Sequence, residues 1–345
     1  MALPRVRPTR RPRGGRVVVL EHESQVLRAN PLGDPTARAL QVYLPADYDR
    51  RTDTRFVQLW ALAGYTGAGP KLTNWSAFSE SLPERLDRLI RDGEMGPAIV
   101  VFPDCFTSLG GNQYINSSAI GAYADYLTRE LVPFVDRELR TLASREHRGV
   151  FGKSSGGYGA MIHGMRYAKT WGAVANHSGD CAFDLVYRTD FPGVANTLAQ
   201  YDYRIERFLK AFWRKQKPTG RDIHTLMTIC MAATYDPDPA APLGFHLPFD
   251  PVTCEVDEAR WRNWLKHDPV KLVGRFKKNL ASLRGLFIDC GDRDQYHIHY
   301  GTRQLSRALG EHGVRHTYEE FPDDHSGVDY RMDRSLPFLY WALAQ

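Results

Sequence analysis

A glycine-flanked serine near the middle of this 345-residue chain is its strongest sign of chemistry. Ser154 stands between Gly152 and Gly156, after a β-rich run over residues 147–151 and before a helical pattern over residues 156–167. Gly-x-Ser-x-Gly between a strand and a helix is typical of a nucleophile elbow, a sharp turn that exposes the serine hydroxyl. Ser154 is therefore the candidate nucleophile.

The adjacent serine, Ser155, competes for this role. Ser155 has Lys153 two residues before it, whereas Ser154 has a glycine at that distance on both sides. Glycines at these positions let neighbouring elements approach closely enough to hold the turn, which favours Ser154. A phosphate-binding loop is excluded because the Gly-Lys-Ser at residues 152–154 lacks the upstream glycine of that motif.

A serine hydroxyl is a weak nucleophile and needs a base that is itself oriented by a carboxylate. In a fold with such an elbow, the acid and then the histidine follow the serine along the chain, in loops beyond strand ends. Asp294 and His325 each come a few residues after a predicted strand. We predict Asp294 as the acid and His325 as the base, with Asp289 and Asp292 as alternatives for the acid.

Acyl transfer also needs hydrogen-bond donors for the oxyanion. We expect the backbone N–H groups of Ser155, which follows the nucleophile, and of Tyr65, in the Gly64 turn after the third predicted strand. His297 is close enough to the predicted acid in sequence to line the site. It forms a His-x-His pair with His299, but no third ligand stands at a suitable spacing. We therefore expect no metal and no organic cofactor.

Short β-rich runs alternate with helical patterns over most of the chain, which predicts an α/β fold with a mostly parallel, eight-stranded sheet flanked by helices. Strands are predicted over residues 16–20, 39–44, 56–61, 98–102, 147–151, 171–175, 285–290 and 315–321. Helices are predicted over residues 80–91, 120–142, 156–167, 302–311 and 327–344.

One long stretch, residues 179–283, breaks this alternation. It contains three tryptophans and two amphipathic helical patterns, near residues 201–215 and 256–267, but no convincing strand. The pattern predicts a helical cap inserted into a core formed by residues 16–178 and 284–345.

The net charge of +5 has a local origin, because six arginines lie within the first sixteen residues. Residues 1–15 are predicted to be a flexible Arg/Pro arm, and the rest of the chain is close to neutral, so we expect no nucleic-acid partner. The apolar run after the arginines is too short for an export signal, and no later one could span a membrane. These features favour a cytoplasmic protein without a membrane partner. The five scattered cysteines indicate buried free thiols, although a Cys230–Cys254 bridge stays open.

The sequence resembles the esterase D-like family of α/β-hydrolases, which includes feruloyl esterases, enterochelin esterases, S-formylglutathione hydrolases and mycolyltransferases. The matching segments are Gly152 to Gly159, Gly291-x-x-Asp294-x-Tyr296, Asp324-His325-Ser326 and Val42-Tyr43-Leu44-Pro45. The resemblance implies a Ser154–Asp294–His325 triad with Tyr65 and Ser155 as oxyanion donors. Ser155 departs from the family, which often has an apolar residue there. The cap is also unlike that of S-formylglutathione hydrolases, so that activity is not expected.

Together these features predict a serine carboxylesterase that forms an acyl-enzyme on Ser154. Its partner would be a small-molecule ester, and the aromatic residues of the cap favour an aromatic or apolar acyl group. Two alternatives remain: an acyltransferase of the same fold, and a non-catalytic binding protein of that fold. A homo-oligomer is compatible with the sequence.

Overall fold

The predicted eight-stranded sheet is present in the computed structural model, which describes residues 14–345. Its strands are β1 (Arg16–Glu23), β2 (Ala37–Leu44), β3 (Val57–Leu62), β4 (Ala98–Phe102), β7 (Arg148–Lys153), β8 (Ala173–His177), β9 (Gly285–Gly291) and β10 (Thr317–Phe321). They are arranged in the order β1-β2-β4-β3-β7-β8-β9-β10. Strand β2 is antiparallel to both of its neighbours, and the other pairs are parallel. The predicted fold class is thus confirmed.

The central strands are apolar because both faces of the sheet are covered. Every residue of β3 is buried, and successive side chains point to opposite faces: Trp60 and Leu62 join one apolar core, and Leu59 and Ala61 join the other. Strand β1, at the sheet edge, instead alternates between exposed and half-buried residues over much of its length. The sheet therefore separates two hydrophobic layers.

Helices fill both layers. Those of the core are α1 (Gly69–Thr73), α2 (Leu82–Arg91), α3 (Tyr123–Asp125), α4 (Val132–Glu138), α5 (Ser155–Arg166), α12 (Ile298–Glu311) and α13 (Met332–Leu343). Helices α2 and α13 cover one face, and α5 packs on β7 and β8 from the other. A small hairpin, β5 (Asn116–Ser117) with β6 (Gly121–Ala122), was not anticipated from the sequence.

The helix predicted over residues 120–142 is divided in the structure. A π-helical turn, Tyr126–Leu131, separates α3 from α4. Pro133 lies in the first turn of α4 and has no N–H to donate. The N–H of Val132 reaches back to the carbonyl of Leu127, five residues earlier, so the predicted helical stretch is present over residues 123–138 with a π-helical segment inside it.

The segment between β8 and β9 consists mainly of helices. They are α6 (Phe183–Val186), α7 (Phe191–Ala199), α8 (Ile205–Phe212), α9 (Gly220–Tyr235), α10 (Glu258–Leu265) and α11 (Pro269–Ala281). Helix α9 was missed because nearly all its faces are buried, which removes the amphipathic pattern, although Thr219 and Asp222 form a capping box at its start. Helix α11 packs on α5 and α12, and the predicted cap boundaries, 179–283, stay a prediction.

Other predictions bear on the chain as a whole. Residues 1–13 of the predicted basic arm lie outside the described residues. Between residues 14 and 345 no helix has the length and apolar character needed to cross a membrane. The five cysteines are free thiols, four of them buried and Cys254 half-buried.

The start of α5 lies directly against the end of β3, backbone to backbone. A Cβ built on Gly156 would lie 2.0 Å from the carbonyl oxygen of Leu62, and one built on Gly152 would lie 2.5 Å from the same atom. This oxygen cannot move aside, because Leu62 belongs to a central strand paired on both sides. Both positions therefore require glycine.

This contact predicts that Gly156→Ala destabilises the fold. The added methyl group overlaps a strand carbonyl, and overpacking of this kind costs about 2 kcal/mol of unfolding free energy. Gly310→Ala, in the exposed part of α12 with open space around it, is the control and is expected to be neutral or to add up to about 1 kcal/mol. Urea denaturation of both variants measures the difference, and equal midpoints would contradict the proposed contact.

Candidate active site

Ser154 occupies a strained turn between β7 and α5. Its φ of 59° and ψ of −127° are unfavourable for a residue with a side chain. Two backbone hydrogen bonds hold this conformation: the Ser154 N–H donates to the carbonyl of His177 (3.0 Å), and the Ser154 carbonyl accepts from the N–H of Tyr158 (2.9 Å). The strain exists where the sequence predicts an elbow, and it directs the Ser154 side chain into a cavity.

Asp294 and His325 meet although they are 31 residues apart. The Asp294 Oδ2 lies 2.7 Å from His325 Nδ1, and its Oδ1 accepts from the Tyr296 N–H at 2.9 Å. The His325 N–H donates to the Gln295 side-chain oxygen at 2.9 Å, which ties the two loops together. Both side chains are buried, and His325 lines the cavity that Ser154 faces.

The other two candidate acids are engaged elsewhere. Asp289 is fully buried in β9, where Oδ1 lies 2.6 Å from His177 Nδ1 and Oδ2 accepts from Arg331 Nε at 2.9 Å. Asp292 is half-buried and pairs with the exposed Arg293 at 3.4 Å. Of the three carboxylates, Asp294 is the one that contacts His325.

Of the two expected oxyanion residues, Ser155 directly follows Ser154 in the chain, and Tyr65 lines the same cavity as Ser154. Ser155 is the first residue of α5, where backbone N–H groups have no partner within the helix. The Gly64 turn reaches the elbow from β3, and a Cβ built on Gly64 would lie 3.6 Å from the Ser154 Cβ. The buried Tyr65 ring is anchored by its hydroxyl, which donates to the Leu109 carbonyl at 2.6 Å.

The cavity in front of Ser154 has a volume of about 520 Å³. Its apolar and aromatic lining includes Leu72, Val186, Tyr187, Ile223, Met227, Tyr296, Ile298 and Met332. Tyr296 links the cap to the site: its ring packs edge-on against His325 at 4.8 Å and stacks on His224 of α9 at 5.7 Å. A hydrogen bond to Asp190 raises the pKa of His224.

His297 does not line the cavity, contrary to the sequence expectation. It is exposed and has a left-handed backbone conformation at the start of α12, which turns its neighbours, Tyr296 and Ile298, toward the cavity instead. His299 is buried next to it, but the described residues contain no group of three or more potential metal-ligating side chains.

Asp180, a buried carboxylate that lines the same cavity, was not predicted from the sequence. It follows the end of β8, just as Asp294 follows the end of β9, and this placement was a signal that could have revealed it. Its Oδ2 accepts a hydrogen bond from the Tyr187 hydroxyl at 2.8 Å. Burial raises the pKa of the Asp180 carboxyl to about 6, although the Tyr187 hydrogen bond and the His325 charge act in the opposite direction.

The sheet order and the elbow after β7, together with an acid after β9 and a histidine after β10, define an α/β-hydrolase. A model of the family described as "Putative esterase" matches residues 35–333, most of the chain. The chain belongs to this family of esterases.

Solved structures share the fold at low sequence identity. A ferulic acid esterase is similar with a TM-score of 0.63 and 19% identity, over 95% of this chain and 98% of that one. S-formylglutathione hydrolase (FrmB) from Staphylococcus aureus is similar with a TM-score of 0.57 and 14% identity, over 95% and 99%. The ferulic acid esterase AmCE1/Fae1A from Anaeromyces mucronatus, in complex with ferulic acid, has a TM-score of 0.57 and 13% identity, over 96% and 92%.

The contacts of the candidate acids predict different effects on stability. Asp289→Ala leaves His177 and Arg331 without their buried partner and is expected to cost about 3 kcal/mol of unfolding free energy. Asp292→Ala removes one surface pair and is expected to stay within about 0.5 kcal/mol of the wild type. Chemical denaturation of the two variants checks this. A stable Asp289→Ala protein would show that its network does not support the fold.

Proposed function

We propose that this protein hydrolyses carboxylic esters through an acyl-enzyme on Ser154, with His325 as base and Asp294 as the acid that orients it. One observation carries the proposal: the strained Ser154 faces the same cavity as His325, whose Nδ1 lies 2.7 Å from a buried Asp294 carboxylate. With Nδ1 occupied in this way, Nε2 is the nitrogen left to serve the serine.

In the proposed reaction, His325 Nε2 takes the hydroxyl proton as Ser154 Oγ attacks the ester carbonyl carbon. The tetrahedral intermediate then collapses, and the alcohol leaves with the proton from His325. Water, deprotonated by the same nitrogen, attacks the acyl-enzyme; the acyl–Oγ bond then breaks, the carboxylic acid is released, and Ser154 Oγ takes the proton back from His325. Asp294 stabilises the imidazolium that forms in both halves of the reaction.

The proposed oxyanion donors are the backbone N–H groups of Ser155 and Tyr65. The N–H of Ser155 belongs to the first turn of α5, where the helix dipole favours negative charge. The close approach of Gly64 to Ser154 supports the second donor, because it brings the following peptide unit beside the reacting carbonyl. Donors of this kind typically contribute about 100-fold to 1,000-fold each.

The cavity supports a small-molecule ester with an aromatic or apolar acyl group as the substrate. Its volume of about 520 Å³ is in the usual range for small-molecule sites, and its walls combine apolar and aromatic residues with polar and charged ones. The structural neighbours include esterases named for ferulic acid, an aromatic acid.

Replacing the two adjacent serines separately tests the nucleophile. Ser154→Ala should lower kcat by about a million-fold for p-nitrophenyl acetate, butyrate and octanoate and for ethyl ferulate, because it removes the attacking oxygen. Ser155→Ala, the matched control, keeps its backbone N–H and should retain most activity. A fluorophosphonate probe should label the wild type and Ser155→Ala but not Ser154→Ala.

The reverse pattern, with Ser154→Ala active and Ser155→Ala inactive, would overturn the assignment of the nucleophile. A product rate that rises with added alcohol, through formation of a new ester, would instead identify an acyltransferase.

A second pair of variants tests the acid. Asp294→Asn is expected to lower kcat by about 10,000-fold, because an amide cannot hold the reactive imidazole tautomer or balance the imidazolium charge. Asp292→Asn, two residues earlier and at the surface, should keep wild-type kcat. Steady-state kinetics on p-nitrophenyl butyrate, with circular dichroism to verify folding, measures both. A fully active Asp294→Asn enzyme would mean that another carboxylate serves His325.

A further inference from the structure

A buried carboxylate in the active-site cavity has no part in the proposed reaction. Three acidic residues line this cavity, and two of them are paired: Glu80 with Arg88 at 2.9 Å, and Asp329 with Lys153 at 3.8 Å. The third, Asp180, is only 6% exposed, and no basic side chain among residues 14–345 lies within 4.0 Å of it. A buried anion without a cation is unfavourable unless a bound ligand compensates for it.

The neighbours of Asp180 are neutral donors and acceptors. The Tyr187 hydroxyl donates to its Oδ2 at 2.8 Å, and the Tyr235 hydroxyl lies 3.4 Å from that of Tyr187. Gln113, also buried, donates from Nε2 to Ser155 Oγ at 2.7 Å, while its Oε1 is an acceptor without a partner in the described chain. These groups can position the carboxylate, but they do not neutralise its charge.

The backbone directs Asp180 into the cavity. Gly179 lies against the α5 backbone so closely that a Cβ there would be 2.6 Å from the Tyr158 nitrogen. Ser178, with a φ of 43°, donates its N–H to the Asp289 carbonyl at 2.8 Å. This loop is therefore held on both sides, and Asp180 is presented beside the catalytic residues on a rigid support.

We propose that Asp180 is a specificity-determining residue that binds an ammonium group of the ester substrate. This inference rests on the proposed esterase function. An ammonium group has three donors and no acceptor, so it supplies both the charge and the hydrogen bonds that the carboxylate lacks. Tyr187 and Tyr296 also line the cavity, and aromatic rings attract cations.

Two pairs of esters, each differing by one isosteric group, test the proposal at pH 8. On the acyl side, p-nitrophenyl 6-aminohexanoate is compared with p-nitrophenyl heptanoate. On the alcohol side, 4-(aminomethyl)phenyl butyrate is compared with 4-ethylphenyl butyrate. In the wild type, kcat/KM for the ammonium member of one pair should exceed that of its isostere by about 10-fold to 100-fold, the usual effect of a hydrogen bond to a charged group.

Two variants locate the origin of that preference. Asp180→Asn should abolish it, so that the ammonium member of each pair reacts no faster than its neutral isostere, and circular dichroism verifies folding. Asp329→Asn removes a carboxylate from the same cavity where Lys153 already pairs with it, so this control should keep the ammonium preference.

The outcomes separate this inference from the esterase proposal. Equal rates within both pairs for the wild type overturn the ammonium site and leave the esterase intact. An equal loss on all four esters in Asp180→Asn also overturns it, because the carboxylate would then act through the His325 imidazolium. Failure of the wild type to hydrolyse any ester or react with a fluorophosphonate overturns the esterase proposal itself.

If Asp180→Asn does not fold, the proposal can still be tested on the wild type by measuring whether a bound ligand slows the reaction of Ser154 with a fluorophosphonate. The ligand 4-methylbenzylammonium should slow labelling by the fluorophosphonate at concentrations where its neutral isostere, 4-ethyltoluene, has no effect. Equal protection by the two ligands would contradict the proposed site.

Discussion

The backbone contact between the end of β3 and the start of α5 is the constraint on which the rest of the site depends. At Gly152 and Gly156 the backbones approach within distances that no side chain allows. The chain can make the turn after β7 only in this space, and it does so with Ser154 at a positive φ. The same contact sets the position of Ser155 at the helix start and of Gly64 just beyond β3. Nucleophile and proposed oxyanion donors therefore share one rigid support.

Four neighbouring strands of the sheet each supply one side chain to the cavity or to its catalytic residues. Ser154 follows β7, Asp180 follows β8, Asp294 follows β9, and His325 follows β10. Because these strands are parallel, their carboxyl ends lie at one edge of the sheet, and residues from distant parts of the sequence meet there. The antiparallel strand β2 lies on the far side of β4 and takes no part in this arrangement.

Similar carboxylates have different roles here because their partners differ. Asp289 points into the sheet layer and holds His177 and Arg331, so its charge is balanced within the protein. Asp294, five residues later, is turned toward His325 by the loop that follows β9. The Asp180 side chain accepts its hydrogen bond from the neutral Tyr187 hydroxyl and forms no ion pair within the described residues, and this difference makes it a candidate for recognising the substrate rather than for supporting the fold.

The sequence by itself determined the eight strands, the elbow and the residues of the proposed triad. Continuous apolar runs indicate buried parallel strands, and the glycines around Ser154 form a motif that can be recognised from the sequence alone. The sequence left Asp289, within β9, as an alternative to Asp294, which follows that strand, because only the paired loops reveal which carboxylate meets His325. Helix α9 had no amphipathic signal, since cap and core bury it on nearly every side. The cavity, the exclusion of His297 and the unpaired charge of Asp180 were decided by tertiary structure alone, because burial and charge compensation depend on neighbours that are distant along the chain.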